Sequence, residues 1–490
     1  MKKDKKEIPM WAKLGHPKPV SRREFLATGI IPFSAWALAP SLSTFLLSPE
    51  ARAQATDCSG SAGPTYIPFI TLNLAGGSGL HSQLVVKNLN GENLTSYNKL
   101  GLGAGPGLSF NPVKEFGNVE FSGTAIGGNT TGLVSKFLTG VRDPRAQNTR
   151  ITALDNTAFI WSAVASTDDN SNNPFDVSGL AVKMGLTGTM LANLGVSDTT
   201  TGINQKPALV PPPAPFVVGN VNDLANALGY ASSLKDMSQP QQLALARAIS
   251  KFSGSQIRRI ASTTGSTFLE KVIECAGLRN ADLLAKGVGD VNPLAVGGAL
   301  STEIARIWGI QVTDRTSRSA VFGSLVYNAL VGNASTVGLN LGGHDYHDNT
   351  RTTGDARDLE AGQIIGKILE TAAFVKKPVF IYVCSDGAVV SAASATADAP
   401  WASDRGIAGM QYMLAYHPTG RPLTSGFQIG GFNDGQAADG KFPTSTNPEL
   451  AAQAVFANYA AWNGRMDFLE QYRVLGDSAL REKAIKLRKA

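Results

Sequence analysis

An imidazole and a carboxylate stand two residues apart in the stretch "LNLGGHDYHDNT", Leu339 to Thr350. In an extended backbone Asp345 and His347 point the same way, so both could grip one divalent ion. Zinc accepts that mixed pair, and manganese or calcium accepts the oxygen donors. Two ligands hold an ion weakly, so further donors must come from other loops. The other reading is a polar turn in which both side chains merely cap and order the loop; the residues alone leave the two open. Gly342 and Gly343, just before the pair, let the chain turn without a Cβ penalty.

The elements that must position these groups are short apolar runs. "YIPFITLNL" ending at Leu74, "AFIWSAVA" ending at Ala165, "STVGLNL" ending at Leu341 and "PVFIYVC" ending at Cys384 are rich in β-branched or aromatic residues. Such runs predict strands covered on both faces, hence a largely parallel central sheet. Between the last two, "DARDLEAGQIIGKILETAAFV" keeps helical spacing at Ile364, Ile365, Ile368, Leu369 and Ala372. A strand–helix–strand crossover puts the loops after Leu341 and Cys384 on one sheet edge. Ligands of open α/β sheets bind at that carboxyl edge. The loops there bring His81, Asp168 with Asp169, and Ser385 with Asp386. Each has a bland reading: His81 as a loop hydrogen-bonding residue, Ser385 and Asp386 as a strand-to-helix turn or helix N-cap.

Cys58, Cys275 and Cys384 make neither a disulfide framework nor a zinc cluster. Cys384 reads as a buried, inert thiol.

Of the 44 Lys and Arg and 38 Asp and Glu, nine basic and four acidic residues lie before Asp57. The rest is therefore near neutral, which excludes a broad nucleic-acid-binding surface. The basicity belongs to "SRREFLATGIIPFSAWALAPSLSTFLLSPEARAQA", with Arg22 and Arg23 ahead of an apolar stretch and small residues at Ala51, Ala53 and Ala55. It resembles a twin-arginine signal peptide over residues 1–55, cleaved near Ala53 or Ala55. That implies the twin-arginine export machinery as partner and a periplasmic or secreted mature protein without a stable membrane span. Residues 56–490 read as a single α/β domain, with a helical layer or insertion at about 220–330 that follows the extended "VPPPAPF" connector. Capping boxes at Ser238/Gln241 and Thr267/Glu270 start two of its helices. "PELAAQAVFANYAAWNGRMDFLEQYRVL" predicts a further helical region packed on the sheet.

With these residues in place, the mature chain resembles a bacterial family of twin-arginine-exported proteins similar to the alkaline phosphatase and sulfatase superfamily. "LNLAGGSGL" looks like the family's opening strand and Gly-Gly turn, "GGHDYH" like its "GGxDTH", "SDGAV" like its "SEFGR" and "DRG" at Asp404 to Gly406 like its "DHG". The resemblance implies an alkaline-phosphatase-like sheet with helices on both faces. It makes Asp345, His347, Asp386 and Asp404 the candidate metal ligands, with His81, Asp168, Asp169 and Ser385 as secondary candidates. Three departures stand out. Ser78 and Gly79 occupy the place of an acid, Asn173 and Pro174 replace the expected Ser-His pair, and Arg405 replaces a His ligand. A guanidinium offers no lone pair to a metal, so Arg405 becomes an anion clamp or an ion-pair partner of the acids.

Two functions fit. One is a noncatalytic exported protein that kept the fold and turned its loops to binding or assembly. The other is a metal-dependent hydrolase of phosphate or sulfate esters, working through one divalent ion and an activated water.

Overall fold

The computed structural model describes residues 66–94, 109–110, 112–122, 125–126, 135–143, 148–165, 175–186, 188–193, 204–211, 215–228, 240–241, 244, 291–344, 351–388, 390–391, 401–402 and 408–488. An eight-stranded sheet organises them. Its strands in chain order are β1 (Phe69–Leu74), β2 (Thr157–Val164), β3 (Thr189–Ala192), β4 (Phe216–Val217), β5 (Ala334–Leu341), β6 (Val379–Ser385), β7 (Gly409–Tyr416) and β8 (Gln428–Ile429). They lie in the order β4-β3-β5-β1-β6-β7-β2-β8.

The four strands expected from apolar runs are β1, β2, β5 and β6, and every residue of β1, β2 and β6 is buried. β5 and β6 both pair parallel with β1, so Leu341, Leu74 and Ser385 stand level at one edge. The crossover from β5 to β6 therefore steps over β1. One strand departs from the parallel pattern: β7 runs antiparallel to both β6 and β2. Its segment "GMQYMLAY" has no β-branched residue, so it lacks the Val- and Ile-rich signature of its neighbours.

Helices cover both faces, as binary patterning requires. On one face lie α1 (Lys136–Arg142), α2 (Asn148–Asp155), α4 (Gly298–Trp308), α5 (Arg318–Leu330) and α6 (Arg351–Phe374). On the other lie α3 (Ser178–Met184) and α7 (Pro448–Trp462). The ends are set by side chains: Ser135 accepts from the Leu138 amide, Ser317 from Ala320 and Asn447 from Leu450, the last with Pro448 in the first helical position. Tyr459 of α7 meets the Phe69 and Phe380 rings edge-on, locking that helix to β1 and β6. α5 and α4 fall in the region read as helical from sequence, whereas the helices expected to start at Ser238 and Thr267 lie almost wholly outside the described residues. Among the described residues no helix is long and apolar enough to cross a membrane.

Candidate functional site at the carboxyl edge

The loops after β1, β5 and β6 meet where the sheet register puts their strand ends side by side. The Ala75 amide donates to the Leu341 carbonyl at 2.8 Å, and the His344 amide to the Ala75 carbonyl at 3.0 Å, so pairing continues past the strands. Gly76 and Gly77 then turn the chain with φ of 117° and 99°. Only glycine adopts such angles without strain, which explains the Gly pair after β1.

Asp386 holds that turn. Its Oδ1 accepts the Gly76 amide at 2.6 Å and the Gly77 amide at 3.2 Å. Ser385, the last residue of β6, donates its hydroxyl to the Leu74 carbonyl and accepts the Ser78 amide, both at 2.7 Å. The chain continues through Ser78, whose hydroxyl donates to Asp358 Oδ1 at 2.8 Å. Gln83 donates to Asp358 Oδ2 at 2.9 Å and accepts from the Ser135 hydroxyl and the Phe137 amide, each at 3.1 Å. One buried polar chain thus runs from the end of β1, across β6 and α6, to the first turn of α1.

Ser385 and Asp386 therefore do not cap a helix, contrary to that sequence reading. They fasten the β1 loop. Ser78, standing where the family resemblance expects an acid, is a neutral donor inside this chain. Asp358 and Gln83 were not found from sequence. Asp358 lies three residues before Ala361 and seven before Ile365, on the buried stripe of α6. An acid on an apolar helical stripe is the signal that could have marked it.

Two histidines lie in the same loops. His81 is 1% exposed, and neither ring nitrogen has a hydrogen-bond partner. It is thus not the loop hydrogen-bonding residue one reading made it; its ring lies 6.0 Å from that of Phe432. Burial lowers its pKa to about 4. His344, the unassigned residue between Gly343 and Asp345, is fully buried, with both ring nitrogens also unpartnered. Burial first, then the Arg357 and Arg318 charges, lower its pKa to about 3. Its Nδ1 lies 3.9 Å from Asp358 Oδ1, beyond hydrogen-bond reach, so the ring sits neutral beside that side chain without bonding it.

Cys384, at the end of β6, is buried and free. Burial pushes its thiol up, far from the range of a nucleophile, in line with the inert reading.

Of the residues singled out from sequence, His81, Ser385 and Asp386 come to one sheet edge. Asp345, His347, Asp404, Arg405, Asp168 and Asp169, with Asn173, Pro174 and the leader arginines Arg22 and Arg23, lie outside the described residues. Among the described residues no three His, Cys, Asp or Glu side chains converge as a metal-binding group. The donor set that is described does not fit a two-metal centre: Ser78 brings no anionic ligand, and one oxygen of Asp386 already serves two amides. No protein-family model, curated protein or solved structure matches the chain.

Proposed function

We propose that the chain is an exported cell-envelope protein with an alkaline-phosphatase- and sulfatase-like fold and a degenerate metal site, serving a noncatalytic binding or assembly role. The leader with Arg22 and Arg23 carries the export part of this reading, and the order of the four loop motifs carries the fold part. The observation that favours a noncatalytic role is the fastening of the β1 loop by Asp386. A carboxylate that satisfies two backbone amides, the Gly77 one buried and the Gly76 one half-buried, is costly to divert to a metal or a reacting water. The buried Ser78 hydroxyl, spent on Asp358, supplies no replacement.

Elemental analysis of protein recovered after native export tests the reading, with aryl phosphate and aryl sulfate as substrates and Asp345→Ala as the control. The expected result is a mature N-terminus near Ala53 or Ala55, no stoichiometric metal under zinc-, manganese- or calcium-replete conditions, and no ester hydrolysis. Stoichiometric metal lost on Asp345→Ala, together with ester hydrolysis, would replace this reading with the hydrolase.

A further inference from the structure

The chain ends on a basic run. "REKAIKLRKA", residues 481–490, holds five Lys or Arg against one Glu, a net of 5 − 1 = +4 in a stretch of a chain that is otherwise near neutral after the leader. The segment it packs against, from His417 to Asn433, contains no acid at all.

The two segments form a short antiparallel ladder. Thr424 pairs with Leu487, the Ser425 amide donates to the Lys486 carbonyl at 2.8 Å, and the Arg488 amide donates to the Leu423 carbonyl at 3.2 Å. Side chains alternate across such a ladder, and Leu487 is fully buried. Leu423 and Ser425, with Arg488 and Lys486 opposite them, therefore share the other, outward face. Exposure agrees: Leu423 is 64% exposed, Ser425 and Arg488 are exposed, and Lys486 is half-buried, its stem lying along Gly426. Lys483, in the last turn of the helix Ser478–Ala484, is exposed just before the ladder.

These cations differ from those elsewhere on the molecule. Lys87, Arg142, Arg318 and Arg357 each have a glutamate as ion-pair partner. Among the described residues no carboxylate comes within 4.0 Å of Lys483, Lys486 or Arg488. Lys483 has a local account, since a cation in a last helical turn suits the helix dipole. Lys486 and Arg488 lie past the helix and have none. Burial lowers the Lys486 pKa, so this ammonium is partly desolvated without a compensating charge.

The face also carries the wrong side chain for a purely solvated surface. Leu423 is the most exposed of the large hydrophobic residues, and among the described residues no other exposed one lies between Val312 and Met466. One apolar side chain is too little for the core of a protein interface, which takes about 800 Å² per partner. A small anion would need a cage, and two paired segments offer an open surface instead. An anionic bilayer needs neither: its surface charge attracts Lys and Arg over a Debye length, and its headgroup layer accepts a protruding apolar side chain.

We propose that this face is a peripheral docking surface for an anionic phospholipid bilayer, with Lys483, Lys486 and Arg488 against the headgroups and Leu423 entering the headgroup layer. The surface lies at the amino edge of the sheet: the segment leaves β7 at Tyr416, which pairs with Thr157, the first residue of β2, and Arg421 Nε donates to the Thr157 carbonyl at 3.0 Å. Docking there leaves the opposite edge, with Asp386, turned away from the bilayer. The proposal goes beyond the noncatalytic reading and uses none of the candidate metal ligands.

Co-sedimentation of the full exported chain with vesicles tests it, using phosphatidylcholine alone and phosphatidylcholine with phosphatidylglycerol in equal parts, each at low and at high salt. Partitioning into the phosphatidylglycerol vesicles alone is expected, and it should fall at high salt. Lys486→Gln and Arg488→Gln should each weaken it roughly 5-fold, and the double variant roughly 25-fold. Leu423→Ser should weaken partitioning while leaving its salt dependence unchanged, which a purely electrostatic contact would not show. Lys486→Gln should keep the thermal midpoint equal or higher, because an uncompensated half-buried charge has been removed. The exposed Arg488→Gln keeps the test decisive if Lys486→Gln misfolds. No partitioning into phosphatidylglycerol vesicles, equal partitioning into both vesicles, or partitioning unchanged in the double variant overturns the proposal. So does displacement by inorganic phosphate beyond that by chloride at the same ionic strength, which would assign a small-anion site instead. None of these outcomes depends on metal content or ester hydrolysis, so the docking surface and the noncatalytic reading can fail separately.

Discussion

Asp386 Oδ1 accepts the Gly76 amide at 2.6 Å across 310 residues of sequence. One carboxylate thereby joins the two central loops of the sheet edge, and its second amide, from Gly77 at 3.2 Å, leaves that turn with both N–H groups paired. Asp386→Ala strands two donors at once, one buried and one half-buried. The expected cost is about 2–5 kcal/mol in urea unfolding, with faster amide exchange at Gly76 and Gly77. Asp386→Asn retains an acceptor oxygen and should lose less than half of that. Equal stability of Asp386→Ala and wild type would remove the fastening role.

That contact also marks how far the sequence could be read. The strands β1, β2, β5 and β6 were legible because each is a nearly continuous apolar run rich in β-branched or aromatic residues, and strands covered on both faces leave that mark on their own residues. β7 was not, since "GMQYMLAY" offers no β-branched residue to mark it as a strand. Asp386 was placed at the correct edge, but its partner was hidden: a hydrogen bond between distant loops leaves no local pattern. Asp358 did leave one, as an acid on the apolar stripe of α6, and its partners Ser78 and Gln83 become visible only once β1 and α6 are packed together.

The two unpartnered histidines predict an acid-sensitive stability. The folded protein holds His81 down to about 4 and His344 down to about 3, whereas in the unfolded chain both take up protons near pH 6.5. The unfolded state therefore binds more protons in this window. The contribution is fully present above about pH 6.5 and is lost as pH falls toward the folded values, at up to about 1.4 kcal/mol per pH unit for each ring. The double variant His81→Gln, His344→Gln should show a shallower fall in urea midpoint between about pH 6.5 and 5 than wild type. Parallel pH profiles would show that these rings do not titrate on unfolding.

Glu370 is 1% exposed and bridges two arginines. Its Oε2 accepts from Arg150 Nε at 2.8 Å and Nη2 lies at 2.7 Å, while Arg306 Nη2 reaches Oε1 at 2.5 Å. The bridge ties α2, α4 and α6 together. Glu370→Ala leaves the buried Arg150 without its closest counter-charge and should cost about 3–5 kcal/mol. Glu303→Ala, which removes the other and more exposed partner of Arg306, should cost under about 1 kcal/mol. The double change Arg150→Met, Glu370→Leu should recover much of the loss, because no buried charge remains. Matching losses for Glu303→Ala and Glu370→Ala would contradict the burial argument.

α1 crosses α6 with almost no space between their backbones, and glycines make that approach feasible. A Cβ on Gly362 would strike the Phe137 carbonyl oxygen, one on Gly140 would strike that of Leu359, and one on Gly366 would come within 2.6 Å of that of Val141. In an exposed helix interior, Gly→Ala gains about 1 kcal/mol from helix propensity. Here the same change must push two helices apart or bend one of them, at a cost of about 1–3 kcal/mol or more, because carbonyl oxygens of a packed helix cannot swing aside as a flexible side chain would. Steric cost therefore outweighs propensity, and Gly362→Ala should destabilise. The displacement would also pass to the sheet edge, since α1 begins at Ser135 and Phe137, both bonded to Gln83, and Gln83 reaches Asp358 on α6. Gly362→Ala should consequently lower the urea midpoint and speed amide exchange at Phe137, while the α7 face on the far side of the sheet keeps its protection. A stability gain on Gly362→Ala would mean that the helices separate freely and that α1 is not what holds Gln83 in place.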